Sequence, residues 1–347
     1  MNSHPVRDDL IPEPKTAPSP RPARICVAGS GAVGGTLAVR LAAAGHDVSV
    51  LARGAQLEAI RASGLRLEHR DGTIRADLRA SQHADFGVQD VVFVSVKAHS
   101  LAGLLPTIMP LIGEHTIVVP TLNGVPWWYF QGTGERFEGE PVRAVDPDGE
   151  LLRLLPWQRV VGSVVYIAAH VPEPGLVVTT NRNRLVLGEP SHRPSTRVEA
   201  LCRYLNGAGV VAEPTERIRD AIWTKLVSNL SCNPLSVVTG GTLQEMHDDE
   251  SLRAIIAAIV REAMAVGAAY GARFTLDPVT VMNNARQLGA FKTSMLQDYE
   301  RGTPLELGAI GDAVVELAAR YDIPMPVTRQ VLALARFRAT HRSCVSG

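Results

Sequence analysis

Hydrophobic and polar positions divide this chain into two halves with different periods. In the first half, short apolar runs at Ile25–Ala28, Val48–Leu51, Val91–Val96 and "TIVVP" (116–120) alternate with stretches of helical character. The runs are rich in β-branched residues and show no polar alternation, which predicts strands buried on both faces. Strands of that kind, separated by helices, make a parallel, doubly wound α/β sheet. The helix after the third run is predicted to reach about Met109. "LEHRDGTIRADLRA" predicts a surface hairpin turning at Asp71-Gly72. Apolar stretches around residues 160–188, broken by the turn "VPEPG", predict an antiparallel extension of the sheet. A helix near 195–207 and the short strand "VVAEP" then close the domain.

From Thr215 onward the period changes. Ile218, Ile222, Leu226 and Leu230 recur every four residues, the stripe of a buried helix. Pro234 removes a backbone donor and is expected to kink or end that helix. "SLRAIIAAIVREAMAVGAAYG" is apolar nearly all round and predicts the central helix of a helical domain. Further helices are predicted from "KTSMLQD" and from "GTPLELGAIGDAVVELAARYDIP". Ser294 with Gln297, and Thr303 with Glu306, have capping-box spacing at the starts of these two. The expected organisation is a tail over 1–22, an α/β domain over 23–214 and a helical domain over 215–342. Six prolines among charged and small residues make 1–22 a disordered tail.

Composition narrows the classes of function. Formal net charge is zero, so no basic footprint points to nucleic acid or to an anionic membrane. No apolar run is long enough to span a bilayer, and the N-terminus lacks the apolar core expected of a signal peptide. The four cysteines are scattered without CxxC or Cys/His clustering, which predicts a reduced cytoplasmic protein with no structural metal. Of 35 basic residues only four are lysine: Lys15, Lys97, Lys225 and Lys292. A chain that otherwise uses arginine keeps a lysine where a compact, titratable ammonium serves better.

Two patterns carry chemistry. After the first strand, "GSGAVG" (Gly29, Ser30, Gly31, Ala32, Val33, Gly34) gives GxGxxG at a strand-to-helix turn. Gly29 permits the turn, Gly31 admits a pyrophosphate close to the backbone, and Gly34 lets helix and strand pack closely. The second strand ends in Ala52-Arg53-Gly54, with no acidic residue for a ribose hydroxyl pair. Arg53 suits a 2′-phosphate, so the expected cofactor is NADP (NADPH). Lys97 and Asn123 fall at the ends of later strands, on the edge where such sheets bind ligands. The second pattern is "WTKLVSNLSCNPL". Lys225 is the one charged residue between Ala221 and Gln244, and Asn229 and Asn233 follow it at intervals of four. Three polar residues thus share one stripe of an otherwise apolar helix. An ammonium there needs a counter-charge or a lowered pKa, and the sequence leaves open whether that charge is a distant carboxylate or an anionic substrate.

These motifs together resemble the ketopantoate reductases (2-dehydropantoate 2-reductases) over residues 24–340. The matching stretches are "GSGAVG", "VKA" at 96–98, "NG" at 123–124, "WTKLVSNLSCNPL", and "SMLQD" followed by Glu306. The resemblance implies a Rossmann-type domain, a C-terminal all-helical domain and an active site between them. It implies NADPH-dependent reduction of 2-dehydropantoate, a small 2-oxo acid, to pantoate in pantothenate biosynthesis. Lys225 would be the general acid, assisted by Glu306. Asn229 and Asn233 would hold the hydroxyl end of the substrate, Ser294 its carboxylate, and Asn123 would lie beside both nicotinamide and substrate. Arg53 and Lys97 match the family's contacts to the cofactor phosphate and adenosine side. A homodimer stays open. The segment 126–159 departs from the family's usual connection. Its run Trp127, Trp128, Tyr129, Phe130 either walls the pocket or pins the loop to the surface, which leaves room for a paralogue acting on another 2-oxo acid. A separate alternative is an NADPH sensor without turnover, which the presence of the whole Lys-Asn-Asn set disfavours.

Overall fold

A computed structural model describes residues 22–181 and 183–341. The expected tail lies outside the described residues except for Pro22. The chain opens as β1 (Arg24–Ala28), α1 (Ala32–Ala43), β2 (Asp47–Leu51), α2 (Gly54–Ser63), β3 (Leu65–His69), β4 (Gly72–Ala76), β5 (Arg79–Ser81), β6 (Val91–Val94), α3 (Leu101–Ile108) and β7 (Ile117–Pro120). It continues as α4 (Glu150–Leu154), β8 (Gly162–Tyr166), β9 (Ala169–Glu173), β10 (Leu176–Thr179), β11 (Arg184–Gly188), α5 (Thr196–Gly207) and β12 (Val211–Pro214). The remainder is helical: α6 (Ile218–Thr239), α7 (Leu243–Asp248), α8 (Glu250–Ala269), α9 (Pro278–Arg286), α10 (Ser294–Arg301), α11 (Ala313–Ala319) and α12 (Pro326–Thr340).

The apolar runs become a five-stranded parallel sheet in the order β5-β2-β1-β6-β7. Its central strands are buried on both faces, as their unbroken hydrophobicity requires. Leu37, Leu41 and Ile60 of α1 and α2 pack in the core on one side, and Leu101, Leu105 and Ile108 of α3 on the other. The later strands do more than extend this sheet. β8 leads off the β7 edge through a parallel bridge between Val118 and Val160, and then pairs antiparallel with β11 in a separate three-stranded sheet. β9 and β10 join the β3–β4 hairpin in a four-stranded sheet, where β10 lies parallel to β3. The hairpin is therefore not a surface feature, for Leu65 and Leu67 are fully buried.

Two expectations for the helical part are corrected. Pro234 lies inside α6, which runs on to Thr239 and ends at Gly240 in the left-handed conformation (φ 75°). Packing against α8, α10 and α12 keeps the helix intact past the missing donor. α8 packs against α6, α7, α9, α11 and α12, but it is not buried all round: its buried residues Ile256, Ile259, Val260, Ala263, Val266 and Gly267 form one face, whereas α6 is buried along most of its length. No described helix is long and apolar enough to cross a membrane.

The aromatic run after Asn123 is core rather than surface. Trp127, Trp128, Tyr129 and Phe130 are all buried. Trp223 of α6 donates its indole N–H to the Tyr129 hydroxyl at 2.7 Å. The Arg219 guanidinium, also buried, donates to the carbonyls of Tyr129, Pro190 and Gln131 and so fastens the loop to α6. Tyr129→Phe leaves the Trp223 donor without an acceptor. We expect it to lower unfolding stability by about 1–2 kcal/mol, read as an earlier denaturant midpoint with an unchanged slope.

Candidate active site

The glycine turn has the geometry its spacing predicts. Gly29 has φ 106°, and a Cβ there would meet the Ser95 carbonyl oxygen at 2.6 Å. A Cβ on Gly34 would meet the Gly29 carbonyl oxygen at 1.9 Å, so only glycine lets α1 come this close to β1. At Gly31 a Cβ would meet nothing within 4 Å: the backbone faces open space where α1 begins. No side chain caps α1 and no acidic residue lies in its first turn. That leaves the dipole end free for an anion, and the turn fits a pyrophosphate. Gln56 of α2 steadies the turn by donating to the Ser30 carbonyl at 2.9 Å, while its own oxygen accepts from Gly175 N–H. The sequence reading missed Gln56, since a lone glutamine carries no motif. Arg53 is exposed at the start of α2 and makes no side-chain hydrogen bond or ion pair among the described residues. Its guanidinium is available to a phosphate.

Lys97 and Asn123 lie three residues past the ends of β6 and β7. Gly124 (φ 90°) packs so tightly on the π-turn Gly308–Asp312 that a Cβ would meet the Ala309 carbonyl at 2.5 Å. Val125 N–H bonds the same carbonyl at 2.9 Å, which fixes Asn123 against the helical part. There it meets Lys225 of α6, whose ammonium donates to Asn123 Oδ1 at 2.7 Å and to the Val165 carbonyl of β8. The same ammonium lies 5.5 Å from the centre of the Tyr166 ring.

Lys225 is half-buried as a residue, but its ammonium is enclosed. Burial lowers its pKa from 10.5 to about 8, while the Glu306 charge pulls the other way. The question its isolation raised is thus answered in part: a carboxylate some distance off is its counter-charge, and no carboxylate touches it among the described residues. Burial without a direct ion pair costs stability and yields an amine that can release a proton near neutral pH. Asn229 is half-buried and Asn233 buried on the same helix, and neither amide has a side-chain hydrogen-bond partner among the described residues. Unpartnered amides beside an enclosed ammonium are suited to an incoming polar ligand.

Other expected residues are placed differently. Glu306 bonds Lys97 and not Lys225: Lys97 Nζ donates to Asp298 Oδ2 at 2.6 Å and to Glu306 Oε2 at 3.4 Å, and Ala98 N–H donates to Glu306 Oε1 at 3.1 Å. Lys97, expected at the cofactor, is held here by two carboxylates of the helical part. Neither capping box forms. The cap of α10 is Thr293, whose hydroxyl accepts from Leu296 N–H at 3.1 Å. Ser294 follows it, exposed and without a side-chain hydrogen bond among the described residues. The Thr303 hydroxyl donates to the Asp298 carbonyl at 3.0 Å instead of pairing with Glu306. No described cluster could hold a metal ion.

A parallel sheet of this strand order, a glycine turn built for a pyrophosphate, and a lysine with a lowered pKa beyond the sheet edge define a dinucleotide-dependent oxidoreductase. Comparison with known proteins gives the family. The family model described as ketopantoate reductase PanE/ApbA matches residues 25–192, and that of its C-terminal part matches 217–339. The chain belongs to the ketopantoate reductase family. A 2-dehydropantoate 2-reductase of Mesorhizobium japonicum is 46% identical over 93% of this chain and 100% of its own length. One of Archaeoglobus fulgidus is 27% identical, covering 90% and 97%. Among solved structures, that of 2-dehydropantoate 2-reductase from Geobacter metallireducens superposes with a TM-score of 0.80 at 27% identity, covering 90% of this chain and 99% of that one.

Proposed function

We propose that this protein reduces 2-dehydropantoate to pantoate with NADPH, Lys225 serving as proton donor. The observation that carries this reading is the enclosed Lys225 ammonium, bonded to Asn123 beyond the parallel sheet and followed along α6 by two amides without a side-chain partner among the described residues. The glycine turn from Gly29 to Gly34 and Arg53 hold the dinucleotide, within a cofactor domain over 23–214. The helical domain over 215–342 supplies Lys225, Asn229, Asn233, Ser294 and Glu306.

NADPH, when bound, supplies the hydride. The chain's own part is to handle the charge that follows. Hydride addition to a 2-oxo acid leaves an alkoxide where the ketone oxygen was, and that oxygen needs a proton and a nearby positive charge. Lys225 offers both. Its bonds to Asn123 Oδ1 and the Val165 carbonyl aim the third donor of the ammonium. Asn229 and Asn233 have free amides to grip hydroxyl groups, and exposed Ser294 is free to donate to a carboxylate. The same reading places the protein in the cytoplasm, in keeping with the free, buried thiols of Cys26, Cys202 and Cys232. It admits a homodimer through the exposed Leu334 and Phe337 of α12, which sedimentation velocity reads directly.

The test is steady-state NADPH oxidation against a panel of 2-oxo acids, followed across pH. For 2-dehydropantoate, kcat/KM should be highest of the panel. The protonated lysine is the active form, so kcat/KM should be level below the Lys225 pKa and fall tenfold per unit above about 8. A flat alkaline profile, or a preference for another acid, would overturn the assignment.

A further inference from the structure

We propose that Lys97 and Asp298 are positioning residues that set how strongly the Glu306 carboxylate acts on Lys225. Asp298 does this by holding Lys97 away from full pairing with Glu306. The inference rests on the reading of Lys225 as proton donor and deepens it.

The cluster joins the two halves of the molecule. Lys97 lies just past β6, Asp298 on α10, and Glu306 just before the π-turn. Asp298 and Glu306 are largely buried, with side-chain exposures of 11% and 5% against 40% for Lys97. Two carboxylates share one ammonium, so the cluster carries one negative charge in excess. Lys97 sits closer to Asp298, at 2.6 Å, than to Glu306, at 3.4 Å. Glu306 is therefore only partly neutralised, and it is the charge that raises the Lys225 pKa against burial.

Other ionisable groups on the surrounding elements do not compete for this task. Glu300 of α10 is paired with Lys292 at 2.6 Å, and Asp312 of the π-turn with Arg336 at 2.7 Å. His99 and Arg301 are exposed. Of the other charges on α6, Arg219 is spent on the Tyr129, Pro190 and Gln131 carbonyls and Asp220 on Arg217, while Arg184, stacked on Tyr166, pairs with Glu213. The Tyr166 phenol on β8 is held protonated by burial.

The consequence is a pair of opposed effects. In Asp298→Asn the ammonium of Lys97 loses its nearer carboxylate and pairs fully with Glu306. Less negative charge then reaches Lys225, and its pKa falls. In Lys97→Met the Glu306 charge is unmasked, and the Lys225 pKa rises. A merely structural role predicts otherwise: loosening the cleft admits water and moves Lys225 upward in both variants.

The experiment labels lysine Cε with 13C in the full chain, where four lysines give four signals. Lys225→Arg identifies the Lys225 signal by its loss, and the proteins are titrated without substrate. We expect a downward shift of ~0.5 unit or more in Asp298→Asn and an upward shift of similar size in Lys97→Met, with the alkaline limb of kcat/KM moving the same way. Shifts in one direction, or none, would overturn the inference. Should Asp298→Asn fail to fold, the absence of an upward shift in Lys97→Met overturns it alone. Opposed shifts in a protein that oxidises no NADPH would uphold the cluster's role and sink the reductase reading. Turnover of 2-dehydropantoate with shifts in one direction would do the reverse.

Discussion

Lys225→Ala should lower kcat by about 10²–10⁴, the usual worth of a positioned general acid. The fold should survive, because the substitution removes an enclosed charge that no described carboxylate touches. Its two acceptors, Asn123 Oδ1 and the Val165 carbonyl, lose their donor. Asn123 lies beside the space proposed for substrate, where water can replace the ammonium. NADPH affinity, set by the glycine turn and Arg53, should be unchanged. Lys225→Arg separates charge from proton. A guanidinium keeps the charge but does not give up a proton in this pH range. If proton donation is the task, arginine should be nearly as poor as alanine; recovery of most of the wild-type kcat would reduce Lys225 to an electrostatic role.

Cofactor choice should show the second large effect. Arg53 stands exposed at the start of α2, free of any described partner. A charge-assisted contact to a 2′-phosphate contributes about 1.5–3 kcal/mol, or roughly ten- to a hundredfold in affinity. Arg53→Ala should therefore weaken NADPH by that factor and leave NADH almost untouched, as measured by fluorescence titration of both nucleotides. Equal loss for the two would mean that Arg53 supports the fold of the turn and does not read the phosphate.

The parallel sheet was legible because its signals are local. Strands buried on both faces must be apolar throughout, and the glycines of the turn answer steric limits within a few residues. The stripe Ile218, Ile222, Leu226, Leu230 was legible for the same reason, and all four are buried. What the sequence could not show was long-range. Which of the strands from β8 to β12 pair with which depends on partners far along the chain, and β10 finds β3 across more than a hundred residues. The bond between Glu306 and Ala98 spans 208 residues, and at short range its spacing to Thr303 imitated a capping box. At α10 the cap fell one residue early, on Thr293, whose hydroxyl also meets Ser236 Oγ of α6 at 2.7 Å. That tertiary contact decides between adjacent hydroxyl residues. The Val165 carbonyl that fixes Lys225 is main chain, and no side chain announces it.

The aromatic segment shows the limit from the other side. Four consecutive aromatic residues suggested a specialised pocket wall or a surface clamp. The structure makes them core, tied to α6 by Trp223 and Arg219, although Trp127 and Trp128 also line a small pocket with Asn123, Gly124 and Ile222. The connection therefore braces the helix that carries Lys225.

The most direct measurement follows the hydride itself. NADPH deuterated at C4 of the nicotinamide, in each of its two stereochemical forms, is incubated with the protein and 2-dehydropantoate, and the product is analysed by mass spectrometry and NMR. The account predicts pantoate carrying one deuterium at C2 from one of the two forms, and about a hundredth as much or less when Lys225→Ala replaces the wild-type protein over the same initial-rate period. Cofactor consumed without deuterium reaching C2 from either form, or pantoate made equally fast by Lys225→Ala, would contradict it.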